Sequence, residues 1–132
     1  MSELISAIRA CDSLYFRSIS EPRDNALRIV IDCTQTTADK KESKAFDVCW
    51  WSYVAYAVLC ESYTIASEYD QFEGRLFRKY QRSRFLDYVA AGTIATDEFP
   101  GPLDHWGLIC ASHIIHVVST DEPEVQLVAH DA

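Results

Sequence analysis

The stretch Phe46–Ile65, FDVCWWSYVAYAVLCESYTI, decides the fold class. Side chains of a strand alternate between two faces, and here both alternating sets are apolar. Phe46, Val48, Trp50, Val54, Tyr56 and Val58 form one set; Cys49, Trp51, Tyr53, Leu59, Tyr63 and Ile65 form the other. This predicts a central strand covered on both sides. A helical spacing also runs through Phe46, Cys49, Trp50, Tyr53, Val54 and Ala57, but the aromatic and β-branched content favours a strand. No membrane span is expected, because the longest low-charge run, Val48 to Cys60, falls short of the ~20 residues a spanning helix needs.

Upstream, Gln35 to Lys44 has no large apolar residue and carries Asp39, Lys40, Lys41, Glu42 and Lys44, so it reads as a solvated, mobile connection open to proteases. Leu27 to Thr34 alternates as a half-buried strand with Leu27, Ile29, Ile31 and Cys33 inward. Ser18 to Asn25, around Pro22, reads as a loop. Before it, Ser2 can cap a helix whose buried face is Leu4, Ile5, Ile8, Cys11 and Tyr15.

Downstream, Glu68 to Gly74 reads as a turn and Arg75 to Gln81 as a short strand packed through Leu76 and Phe77. Ser83 offers an N-cap for a helix to about Ala91, with Phe85, Leu86, Val89 and Ala90 inward and Gly92 at its end. Pro100, Gly101 and Pro102 mark a rigid loop. Trp106 to Ser119 is long enough for two strands, and Glu124 to Ala129 adds a last one after Pro123. The expectation is one α+β domain over residues 1–132, a largely antiparallel β-sheet with two packed α-helices.

The 132 residues are 48% hydrophobic and include six Phe, seven Tyr and three Trp, ample material for one core. A net charge of -8 repels phosphates and argues against direct nucleic-acid binding. Glu3, Arg9 and Asp12 interrupt Met1 to Tyr15, so no secretory signal is expected there. The five cysteines are odd in number, far apart and set among apolar residues, which predicts buried free thiols in the cytoplasm.

Motifs for chemistry are weak. His105, Cys110, His113 and His116 are zinc-ligand types, but on one strand His105 and His113 lie about 26 Å apart, and His113 and His116 face opposite ways. A turn near Ala111 and Ser112 would be needed to gather them. A nucleophile could be sketched from Cys110 or Cys60 with His105 held by Asp104, yet thiols in Val, Leu and Ile runs are ordinarily inert. The four glycines form no phosphate loop. Neither metal nor cofactor is expected, and no catalytic residue is assigned.

Charge is unevenly distributed. Residues 61–74 hold four acids and no base, residues 75–84 five bases and no acid, and residues 85–132 eight acids and no base. Arg75 to Arg84 reads as neutralised by neighbours such as Glu73 and Asp87. An acidic surface serves solubility, or it steers a basic protein partner. On the second reading the contact residues are Glu68, Asp70 and Glu73 in one connection and Asp97, Glu98 and Asp104 in another.

Glu61, Ser62 and Tyr63, then Gly74, Arg75 and Phe77, the helix start Ser83, Phe85, Leu86, Asp87, and Pro100, Gly101, Pro102 with His105 and Trp106 behind them resemble bacterial polymorphic-toxin immunity proteins. The similarity spans Phe46 to Pro123. It implies a cytoplasmic, non-catalytic inhibitor of a cognate toxin and transfers no site residue. The alternative is a small enzyme or ligand-binding domain with an aromatic pocket near Trp50, Tyr53, His105 and Trp106. A third reading, a structural subunit of a complex, calls for a broad apolar patch.

Overall fold

The computed structural model describes residues 3–93 and 101–128. Phe46–Ile65 divides at Trp51 and Ser52 into two strands that belong to different sheets. β3 (Lys40–Trp50) lies inside an antiparallel sheet with β1 (Ser13–Ser20), β2 (Leu27–Thr37) and β9 (Glu124–Leu127), in the order β1-β2-β3-β9. β4 (Tyr53–Cys60) starts a second antiparallel sheet with β5 (Gln71–Glu73), β6 (Phe77–Arg82), β7 (Asp104–Cys110) and β8 (His113–Ser119), in the order β4-β8-β7-β6-β5. The α+β class stands, with its strands shared between two sheets. The double-sided burial expected of the segment holds for Phe46–Trp50 alone. β4 is an edge strand, with Val58, Leu59 and Cys60 exposed.

One ribbon makes both sheets. β3 pairs with β9 and β4 pairs with β8 in one register on either side of a local irregularity at Tyr53: Cys49 faces Glu124, and Ala55, six residues on, faces Val118, six residues back. The ribbon bends where the chain changes sheet. At the bend the Trp51 N–H donates to the Asp121 carboxylate (2.9 Å), the Thr120 N–H to the Ser52 carbonyl (3.1 Å) and the Tyr53 N–H to the Asn25 carbonyl (2.8 Å).

The inner faces of the two sheets form the core. Leu27, Ile29, Ile31, Val48 and Trp50 from one sheet meet Phe77, Trp106, Leu108, Ile115 and Val117 from the other. Helix α1 (Glu3–Arg9) adds Ile5 and Ile8. Helix α2 (Arg84–Gly92) lies against β8 on the outer face of the second sheet, which leaves His105, Gly107 and His116 beneath it. It starts where the sequence predicts, with the Ser83 hydroxyl accepting the Leu86 N–H at 3.0 Å. Val89 is buried and Phe85 and Leu86 are half-buried, whereas Ala90 is exposed. Among the described residues no helix is long and apolar enough to cross a membrane.

Four expectations are corrected. The first helix ends at Arg9, short of Tyr15, because the Asp12 N–H goes to the Thr34 carbonyl (2.8 Å) and the following residues enter the ladder with β2. A register shift between Phe16 and Ser18 disguises the period-two pattern there. Gln35 to Lys44 is the paired tip of the β2–β3 hairpin, with Gln35 opposite Glu42 and Thr36 opposite Lys41. Glu68 to Gly74 contains β5, so it is partly an edge strand. The cysteines are not five free thiols: Cys11 and Cys33 form a disulfide, Cys49 and Cys110 are buried and free, and Cys60 is exposed. The proposed cap Ser2 lies outside the described residues.

Two measurements follow. Ala38, at the hairpin tip, has φ +51°, a left-handed conformation that favours glycine. Ala38→Gly is expected to raise unfolding stability by about 0.5–1 kcal/mol in urea titration; an unchanged midpoint would return this segment to a mobile loop. Thiol titration of the unreduced, denatured protein is expected to count three thiols, with Cys60 reacting first in the native state. Five thiols would exclude the disulfide.

Candidate functional site

The β7–β8 turn at Ala111 and Ser112, where Ser112 has φ +69°, folds the last apolar run back on itself. It brings His105 beside His116. His113 stays out, facing Cys110 across the turn and stacking on Phe16 with centroids 4.7 Å apart. The Ser83 hydroxyl lies 2.6 Å from Nδ1 of His105, and Nε2 of His105 lies 2.9 Å from Nδ1 of His116. Ser83 and His105 are both wholly buried.

Proton positions in this chain follow from counting donors and acceptors. The Ser83 oxygen already accepts the Leu86 N–H, and its own proton has one acceptor among the described residues, Nδ1 of His105. The tautomer that gives the Ser83 proton this acceptor has the His105 proton on Nε2, donated to Nδ1 of His116. Nε2–H of His116 is then that ring's remaining hydrogen-bonding group. A proton added to either ring would place a charge in a buried site, which desolvation disfavours, so both rings are neutral in the folded protein. Burial, and then His116, pushes His105 down to about 3. Burial also lowers His116, against the pull of the Asp70 carboxylate and with the push of Arg78.

Aromatic rings enclose the pair. Tyr80 stacks on His105 at 4.0 Å, and the Phe85 centroid lies 5.3 Å from His105 and 5.4 Å from His116. Gly107 makes room for this, because a Cβ there would come 2.9 Å from the Tyr80 ring. His116 opens onto a cavity of about 520 Å³ between the sheet, α2 and the 64–70 connection. Its apolar lining includes Leu59, Ile65, Phe72, Phe85 and Ile114; its polar lining includes Asp70, Arg78, Arg84 and Tyr80.

The acids expected to bind a partner are only partly gathered here. Glu68 is exposed on the connection that borders the cavity, and Glu73 is exposed on β5 opposite Lys79, on the side of the strand away from Phe72. Asp70 lines the cavity, but its Oδ1 accepts the Arg84 backbone N–H at 3.1 Å, so it anchors the start of α2. Asp104 is half-buried at the start of β7, opposite Ser119. Asp97 and Glu98 lie outside the described residues. The basic cluster is not neutralised by Glu73 and Asp87. The ion pairs among the described residues are Arg17–Asp32 and Arg28–Asp47, and Asp87 instead accepts the Tyr69 hydroxyl. Arg75 reaches the carbonyls of Cys11 and Asp12, Arg82 lies over the Tyr69 ring, and Lys79 over the Trp106 ring.

The sequence-based alternatives take different places. Trp50 and Trp106 are core residues, Tyr53 hydrogen-bonds Glu21 at the bend, and His105 faces the other side of the sheet, so these four build no common pocket. Asp104 does not hold His105. The Cys110 thiol, pushed up to about 12 by burial, faces His113 across the ladder. No group of three or more His, Cys, Asp or Glu that could hold a metal occurs among the described residues. A second groove of about 290 Å³ crosses the first sheet, but its charges are engaged: Arg28 pairs with Asp47 at 2.6 Å, and the Trp51 indole donates to Glu124 at 2.8 Å. The Cys49 thiol there is pushed up to about 11 by burial and by Asp47 and Glu124, which makes it a poor nucleophile.

No protein-family model, characterised protein or solved structure matches the chain. The cavity and its buried Ser83–His105–His116 chain therefore define the site from geometry alone.

The neutral histidines make a pH test possible. Their folded affinities for protons lie below the unfolded value near 6.5, so their contribution to stability is whole above pH 6.5 and is lost as pH falls below it. Between pH 7.5 and 5.5 His105 alone should remove about 1.4 kcal/mol of unfolding free energy. Urea titration of wild type and His105→Gln at both values checks this; the variant should lose less, and identical losses would refute the neutral chain.

Proposed function

We propose that the protein is a non-catalytic inhibitor of the immunity class, which binds and neutralises a cognate bacterial toxin domain through the outer face of its second sheet. The observation that carries this reading is a ring of exposed apolar side chains around one concavity. Leu59, Ile65, Phe72 and Tyr88 all border the cavity, with Ile65 90% and Tyr88 75% exposed. Tyr63, 87% exposed, extends the apolar surface along the same connection. Scattered apolar exposure is ordinary, but apolar residues grouped around a hollow mark a contact surface. The resemblance over Phe46 to Pro123 supplies the class, and the net charge of -8 supplies the sign of the partner, a basic surface.

In this reading the apolar ring provides the affinity, while Glu68 and Glu73 steer the approach. Asp70 leaves the contact set because it anchors α2. The cytoplasmic part of the proposal meets the Cys11–Cys33 disulfide, a bond that persists mainly in oxidising compartments, so the thiol count above also reports where the chain matures.

The test is binding to the toxin-like protein encoded beside this one, followed by biosensor kinetics. Ile65→Asp and Tyr88→Ala are each expected to weaken the complex by about tenfold or more. Glu68→Lys with Glu73→Lys should slow association at low salt by about threefold, whereas the same reversal at Asp39 and Glu42 on the distant hairpin should not. Unchanged kinetics in all these variants would exclude this face.

A further inference from the structure

The cavity carries the opposite sign from the rest of the chain. The protein is -8 overall, yet Arg78 and Arg84 both line this hollow, and neither forms an ion pair among the described residues. The one carboxylate in the lining, Asp70, is already an acceptor for the Arg84 backbone N–H. Arg78 is held in place by its Nε donating to the Arg75 carbonyl (2.8 Å), by NH1 reaching the Tyr80 hydroxyl (3.4 Å) and by the Phe72 ring 3.9 Å from its Cζ. Its second terminal nitrogen has no partner among the described residues. Arg84 is harder to explain by folding: it occupies the first position of α2, where the helix dipole disfavours a cation, and its guanidinium forms no ion pair among the described residues.

Other polar groups in the lining add to the excess of donors. His116, with Nδ1 committed to His105, has only a donor left to offer. Ser67, also in the lining, has a buried hydroxyl oxygen without a partner among the described residues. Against these stand the apolar surfaces of Leu59, Phe72, Phe85 and Ile114. An open hollow of about 520 Å³ with apolar walls and a few convergent donors has the size and make-up of a small-molecule site.

We propose that this cavity binds a small organic anion, with an apolar ring system against Leu59, Phe72 and Ile114 and a carboxylate, phosphate or sulfonate on Arg78, Arg84 and the His116 N–H. Planar guanidinium groups suit such oxyanions; Arg78 is half-buried, which strengthens its contact, and Arg84 is exposed at the rim. The site belongs to the isolated chain and does not rest on the toxin reading, so either can fail without the other.

The test uses two probes with similar aromatic bodies, the sulfonate 1-anilinonaphthalene-8-sulfonate and the uncharged N-phenyl-1-naphthylamine, followed by fluorescence titration. The sulfonate is expected to bind saturably at a single site and more tightly than the neutral probe. Arg84→Gln should weaken the sulfonate by about tenfold while leaving the neutral probe within about twofold. Arg78→Gln should act in the same direction. Because Arg78 also supports a carbonyl, Arg84→Gln, which breaks no ion pair among the described residues, is the deciding variant, with native near-ultraviolet circular dichroism as the check on folding. Equal affinities for the two probes, an unsaturable signal, or an Arg84→Gln protein that binds the sulfonate like wild type would overturn the proposal.

Discussion

The fold depends on one constraint: Phe46–Cys60 and His113–Leu127 keep the same antiparallel register on both sides of a bend, with a local shift at Tyr53. Backbone groups buried in a bend lose water and need partners, and the Asp121 carboxylate and the Ser52 and Asn25 carbonyls supply them. With the ribbon in place, its two arms become members of two sheets whose inner faces must meet. Val48 and Trp50 on one arm and Ile115 and Val117 on the other then fall into the same core. Slipping either arm by one residue would turn this set to the outside, so the core and the register enforce each other.

The same geometry sets the site. Once β7 and β8 lie side by side, the residues that alternate with the core set point outward, and His105 and His116 are diagonal neighbours on that face. Neither is a strong feature alone. They matter because α2 begins at Ser83, directly against them, so that a helix cap is also the end of a buried hydrogen-bond chain. The cavity is what remains between α2, the 64–70 connection and the sheet, and the guanidinium groups that enter it come from a cluster whose charges find carbonyls and rings in place of acids.

Much of the fold was legible in the sequence. Alternation marked Leu27–Thr34, the Ser83 cap marked α2, and the length of Trp106–Ser119 marked two strands, because each is a local signal. The bend at Trp51 was not legible: both arms are apolar on both alternating sets, and the partner that forces the turn, Asp121, is 70 residues away. The hairpin tip was hidden because Gln35–Lys44 is held by its ladder, which polar side chains neither reveal nor oppose. At the site, the cysteine and histidine types drew attention to a metal set, whereas the observed pairing, His105 with His116, requires knowing the β7–β8 register. The basic run 75–84 was visible, but its lack of acidic partners is a fact of three dimensions.

The bent ribbon also imposes an order on synthesis. β1, β2 and β3 lie within the first 50 residues and meet through short connections, so their ladders can form while the rest of the chain is still being made. The two arms of the ribbon are separated by residues 61–112, and closing such a loop is slow in comparison. Until Glu124–Leu127 emerges, β3 has an open edge, and until β6, β7 and β8 are made the inner face of the first sheet lacks the second sheet as its cover. The nascent protein therefore passes through a stage in which the inner face of its first sheet is exposed, and that stage ends as β6, β7 and β8 pack onto it.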